Sequence, residues 1–85
     1  MSNLILEGDS TSHGGKVISG SDRIRIRGRR AARKGDLVSC PLHGDNEIIE
    51  GIDRIKDGDV PLALDGHRAR CGCVLIASSG AARIR

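Results

Sequence analysis

The 85-residue chain contains no Phe, Tyr or Trp. Aromatic rings usually contribute the largest buried areas in a core, and single-strand nucleic-acid binders use them as stacking platforms. Their absence thins any core to Ile, Leu, Val and Ala and counts against one class of partner. Long apolar runs are missing too. The N-terminus, Met1-Ser-Asn-Leu-Ile-Leu-Glu7, has no basic segment followed by an apolar stretch, so neither a secretory leader nor a membrane span is expected. No segment carries a helical stripe of useful length. Cysteine is scarce and odd in number: Cys40, Cys71 and Cys73 cannot pair off completely, and Cys mixed with His in a cytosolically made chain favours metal over a disulfide framework. The net charge of +3 permits an acidic partner without demanding one.

A chain of this length has room for one domain, and such a domain buries only about 60% of the surface its unfolded form exposes. Without aromatics it needs a staple: a metal, a disulfide or a partner. What the chain does have is a repeated cassette. Gly8-Asp-Ser-Thr-Ser-His13, Gly35-Asp-Leu-Val-Ser-Cys40 and Gly66-His-Arg-Ala-Arg-Cys71 align with one another. Each is followed by a short apolar run ending in small residues, at Val17–Ser21, Ile48–Gly51 and Val74–Ser78. The unit is 27 residues from His13 to Cys40 and 31 from Cys40 to Cys71, with the extra length around His43-Gly44-Asp45-Asn46. Repetition at this period signals stacked or radially arranged units that bury a core only together.

The apolar runs are short, rich in Ile and Val, and bounded by Gly, Ser, Asp and Asn, which is the strand-and-turn signature. Arg23-Ile24-Arg25-Ile26-Arg27 alternates strictly, predicting a half-buried strand with both Ile on one face. The reading is an all-β fold of three hairpin repeats around a common axis, with Ile18, Ile49 and Ile76 near the base or in the core. Packing around an axis would gather His13, Cys40 and Cys71.

Five candidate metal ligands stand at or near those positions: His13, Cys40, His43, His67 and Cys71, including every His of the chain. Imidazole and thiolate are the zinc donors, and a closed four-ligand site is structural. Four of the five would hold one ion, leaving Cys73 as a spare or a small buried side chain. A Cys–His catalytic pair needs an exposed thiolate beside its base, and hydrolytic zinc needs an open coordination position. Convergence on a closed metal site leaves neither, so the chain is read as a non-enzyme.

The segments Gly8–Gly15, Gly28–Asp36, Ser39–Gly44 and Cys71-Gly72 resemble the PAAR-repeat family over nearly the whole chain. The name-giving Pro-Ala-Ala-Arg stands here as Arg30-Ala31-Ala32-Arg33 and, degenerate, as Pro61-Leu62-Ala63-Leu64. The resemblance implies a short cone with pseudo-threefold symmetry and one structural zinc near its point. It further implies that the base caps the VgrG spike trimer of the bacterial type VI secretion system, one copy per trimer. The implied ligand set is three His and one Cys: His13, His43 and His67 with either Cys40 or Cys71. Such a tip is made in the bacterial cytoplasm, pierces a target membrane and enters the target cell, in some cases carrying an effector. The domain is expected to occupy residues 5 to 79, and the tail from Gly80 leaves no room for a fused effector.

Seven of the 14 basic residues fall between Arg23 and Lys34. That stretch supports an alternative reading, a small basic β domain that holds nucleic acid through phosphate contacts. Against it stand the missing aromatics and the lack of a recognition helix.

Overall fold

The computed structural model describes residues 2–77 and 83–84. Among these there is no helix; ten strands form five antiparallel pairs. They are β1 (Ser2–Asn3), β2 (Ser10–Thr11), β3 (Arg25–Ile26), β4 (Arg29–Arg30), β5 (Leu37–Val38), β6 (Asn46–Glu47), β7 (Ile52–Asp57), β8 (Val60–Leu62), β9 (Leu75–Ile76) and β10 (Arg83–Ile84). β3–β4, β5–β6 and β7–β8 are local pairs, whereas β1–β10 and β2–β9 join the two ends of the chain. The all-β reading with short hairpins is what the fold contains. Ser78, the expected domain limit at 79 and the tail residues Gly80, Ala81, Ala82 and Arg85 lie outside the described residues.

The repeated cassette builds the same turn three times. Gly8, Gly35 and Gly66 take φ of 90, 95 and 92°, a left-handed conformation that only glycine adopts without cost. Their N–H groups donate to the carbonyls of Val17, Ile48 and Leu75, whose own N–H groups donate back to the carbonyls of Asp9, Asp36 and His67. The residue after each glycine closes the turn with its side chain. Asp9 Oδ2 accepts from the Leu6 N–H at 2.8 Å, Asp36 Oδ2 from the Arg33 N–H at 2.8 Å, and His67 Nδ1 from the Leu64 N–H at 3.0 Å.

Between repeats the backbone bonds run in a cycle. Ile5 N–H donates to Ala63 O, Ala63 N–H to Ala32 O, and Ala32 N–H to Ile5 O, at 3.0, 2.9 and 2.8 Å. Two residues out, Glu7 N–H meets Arg30 O, Lys34 N–H meets Pro61 O and Asp65 N–H meets Asn3 O. Arg30, standing where the family motif has proline, thus makes the same carbonyl contact as Pro61. A second cycle of bridges joins Val17 to Val38, Ile48 to Ala69 and Leu75 to Thr11. Chains crossing this closely leave little side-chain room, and Ala32, Ala63 and Ala69 are each fully buried there. With Ile5, Val17, Val38, Ile48, Cys73 and Leu75 they form one core cluster.

A second cluster of Leu6, Ala31 and Leu62 takes Ile24 and Ile26 against it, as the alternating Arg-Ile strand predicts. The β3–β4 hairpin turns through Arg27 and Gly28 at φ of 54 and 82°, the paired positive values that match strand twist in a tight hairpin. Ile18, Ile49 and Ile76 are not core: they are 41, 46 and 44% exposed. Each directly follows a buried residue, Val17, Ile48 or Leu75, and successive residues of an extended segment face opposite sides.

Four of the seven basic residues of the Arg run pair with carboxylates, three of them with buried ones. Arg23 and Arg33 meet Asp57 at 2.7 and 3.1 Å, Arg33 also meets Asp36, Arg29 meets Asp9, and Arg30 meets Glu7 at 2.6 Å. Asp9, Asp36 and Asp57 are 1, 8 and 5% exposed, so these pairs neutralise charges that burial would otherwise penalise. The Ser21 hydroxyl also donates to Asp57. That bond holds the Asp57 carboxyl below its usual range; burial works the other way, and Arg23 and Arg33 add to the lowering. Arg30 likewise lowers Glu7. A lowered folded value means the contribution is fully present above the unfolded carboxylate pKa of about 4 and is lost as pH falls through the folded value. In the metal-free protein, this carboxylate contribution to thermal stability is therefore expected to be flat from pH 7 to 5 and to fall below pH 4, with Asp57→Asn showing a lower melting temperature at pH 7 and a shallower acid dependence. An unchanged acid profile in Asp57→Asn would remove this residue from the account.

Candidate metal centre

The three cassettes end on His13, Cys40 and Cys71, and each of these residues begins the reversal that sends the chain back into the core. In the first repeat, the Gly14 and Thr11 N–H groups donate to Thr11 O and Gly15 O; in the third, Gly72 and Ala69 make the same pair with Ala69 O and Cys73 O. Four residues then separate His13 from Val17 and Cys71 from Leu75, but eight separate Cys40 from Ile48. The four additional residues hold Pro41, Leu42, His43 and Gly44, wound into a turn by bonds from the His43 and Gly44 N–H groups to Cys40 O at 3.3 and 2.7 Å. This turn brings His43 back onto the Cys40 sulfur.

The result is a four-residue cluster of His13, Cys40, His43 and Cys71, with one donor atom from each lying within 4.8 Å of every other. Cys40 Sγ is 3.5 Å from His13 Nδ1 and 3.4 Å from His43 Nδ1, and Cys71 Sγ is 3.8 Å from His13 Nδ1. Tetrahedral zinc with Zn–S about 2.3 Å and Zn–N about 2.0–2.1 Å places neighbouring S and N donors about 3.6 Å apart. The measured separations straddle that value, so both the donor chemistry and the spacing fit one metal ion held by four side chains.

Of the five sequence candidates the fold brings four together and leaves out His67. Three His and one Cys were expected; two of each converge. His67 occupies the turn position of Asp9 and Asp36, four residues ahead of the ligand position, and its Nδ1 is engaged by the Leu64 N–H. Both Cys40 and Cys71 join the cluster. The alignment of Gly66-His67 with Gly8-Asp9 already carried this signal, because it gave His67 a turn role rather than a terminal one.

Burial opposes ionisation of Cys40, which is 4% exposed, yet hydrogen bonds from His43 and His13 outweigh it and lower its pKa. Cys71 is also lowered: burial is again opposed, here by the Cys73 N–H and thiol, by Cys40 and by Asn46, whose Oδ1 accepts the Cys71 N–H at 3.1 Å. Cys73 behaves oppositely. It is fully buried in the core cluster, and burial pushes its thiol up to about 11. It fills the core as a neutral thiol, in the repeat position held by Gly15 in the first cassette. A Cβ on Gly15 would sit 1.8 Å from Ser39 O, so only glycine lets the His13 turn lie against the strand leading to Cys40.

The ligand assignment gives opposed expectations for neighbouring residues. His13→Ala, His43→Ala and Cys71→Ser are each expected to lose most bound metal in elemental analysis and to become protease-sensitive. His67→Asp, which installs the turn residue of the other repeats, is expected to keep a full complement. Metal loss in His67→Asp, with metal retained in Cys71→Ser, would reverse the assignment.

The model for the PAAR motif matches residues 7–77, a span that includes all three cassettes and all four clustered side chains. No curated protein matches the chain. With the motif covering most of its length, the chain belongs to the PAAR-motif family, the family of type VI secretion spike tips.

Proposed function

We propose that this protein is a zinc-stapled cone that caps the end of a VgrG spike trimer, one copy per trimer, and serves as its piercing point. The observation that carries the reading is the convergence of one terminal residue from each repeat, plus His43, on a single metal-sized cluster. A point driven through a membrane must resist splaying, and a metal bonded to all three repeats opposes their separation directly. Structural zinc contributes on the order of 10 kcal/mol or more to the folding of small domains, which suits a core without aromatics. Two thiolates and two imidazoles are a standard closed zinc set, leaving no position for a catalytic water, in keeping with a structural rather than enzymatic family.

The pseudo-threefold arrangement is supported by the cyclic bonds at Ile5, Ala32 and Ala63 and by the bridges of the second cycle. A single chain whose three repeats follow one another around an axis can present equivalent backbone to each subunit of a trimer. Exposed backbone groups at the broad end would be satisfied by that docking. Delivery then takes the protein from the bacterial cytoplasm through the type VI apparatus into a target cell, across the target membrane, with effector proteins as separate passengers.

The ion pairs weigh against the nucleic-acid alternative: Arg23, Arg29, Arg30 and Arg33, four of the seven basic residues in that stretch, meet carboxylates of this chain. Two experiments test the reading. Size exclusion with light scattering of a mixture with the spike trimer is expected to give one chain per trimer, and three per trimer would contradict the symmetry match. Double-stranded DNA is expected to show no retention even at low salt; retention that weakens steeply with salt would restore the alternative.

A further inference from the structure

The metal cluster contains two sulfurs where the family resemblance implied one, and this changes what chemistry the centre can undergo. A set with a single thiolate cannot form an internal disulfide. Cys40 and Cys71 can, because their Sγ atoms belong to the group whose donor atoms all lie within 4.8 Å of one another. We propose that Cys40 and Cys71 form a disulfide-forming pair, and that a low-molecular-weight disulfide converts the metal centre into a Cys40–Cys71 cross-link with release of the metal. The metal-release part rests on the zinc-stapled reading above; the pairing of the two sulfurs does not.

The structure supplies the order of events. Cys71 is half-buried, while Cys40 is 4% exposed, so an external oxidant reaches the Cys71 sulfur first. The Cys71 thiolate attacks one sulfur of the oxidant RSSR, forming a mixed disulfide and expelling RS⁻. The Cys40 thiolate then attacks the Cys71 sulfur, forming the internal bond and expelling the second RS⁻. Two thiolates are oxidised by two electrons in all, and one external disulfide is reduced to two thiolates. The metal leaves as the ion it was, since only His13 and His43 remain to hold it.

Joining two sulfurs to a bond length of about 2.05 Å requires the Cβ atoms to come within about 3.5–4.5 Å. The part that must give is the turn after Cys40, where Pro41, Leu42, His43 and Gly44 are all exposed. Cys73, two residues from Cys71, is the competing thiol. Its thiol also reaches Cys71, but it is fully buried as part of the core packing, whereas Cys40 and Cys71 share the cluster whose donor atoms all lie within 4.8 Å of one another. The bond would tie the second repeat to the third where the metal had tied them, so the oxidised tip keeps a cross-link at the same end.

The test uses the purified full chain, its metal content measured before and after incubation with oxidised glutathione. Peptides are then mapped by mass spectrometry after trypsin digestion without reduction. The expected result is loss of metal, a protein two hydrogens lighter, and a linked pair of peptides, Gly35–Arg54 with Cys71–Arg83, whose fragments place the bond at Cys71. Cys73→Ala is expected to behave identically, and Cys71→His, which removes one of the two sulfurs, is expected to keep its metal through the same treatment. Retained metal with three alkylatable thiols, a Cys71–Cys73 bridge, or a glutathione adduct that goes no further would each overturn the proposal. Should the starting protein hold no metal, the zinc reading fails on that measurement alone. The peptide map then still decides the pair, a Cys40–Cys71 link upholding it and its absence overturning it.

Discussion

Each of the three central backbone hydrogen bonds, Ile5 to Ala63, Ala63 to Ala32 and Ala32 to Ile5, joins one repeat to another, so no repeat satisfies all of its own backbone groups. A buried backbone N–H left without a partner carries a desolvation penalty of about 1–3 kcal/mol, and the cycle makes that penalty collective. From this constraint the rest follows. The crossing points must be small, hence the buried alanines; the chain must reverse at both ends of each repeat, hence glycines at φ near 90° beside the carboxylates and the imidazole that close the turns. The free ends of the repeats must also be held together, which a metal on the four-residue cluster would accomplish.

The ligand count comes from a departure in the repetition. Three repeats deliver three terminal side chains, one short of a tetrahedral set. The four residues added after Cys40 provide the fourth by folding His43 back on the sulfur three residues before it. A cluster made wholly from equivalent positions would be confined to three donors, so an irregular middle repeat is what brings the number of clustered donors to four.

Much of this was legible in the sequence because short strands, turn glycines and the repeat are local patterns. The cassette alignment identified the gathering of His13, Cys40 and Cys71, and the strict alternation around Ile24 and Ile26 gave their buried face. Residue chemistry alone does not set His67 apart from the other candidates: an imidazole reads as a ligand, whereas its place in the turn gives it the backbone contact that Asp9 and Asp36 make. For Ile18, Ile49 and Ile76 the sequence left base and core open, since an apolar pair such as Val17-Ile18 does not say which member faces inward, and the fold excludes the core. The Arg-rich stretch looked like a surface for an external polyanion because its partners Glu7, Asp9, Asp36 and Asp57 are scattered through the chain, and their convergence is a property of the tertiary fold.

The pairing of β2 with β9 sets Ser10 opposite Ile76 and Thr11 opposite Leu75. Contacts between residues so far apart in sequence form slowly, because the intervening chain must be ordered before they repay the entropy of closure. On a ribosome, the first repeat would wait with its polar edge open until nearly the whole chain had emerged, and Cys71 would reach His13 and Cys40 only then. Metal capture by the cluster would thereby be a late step in the maturation of the protein, and a half-made chain would offer only an incomplete set of donors.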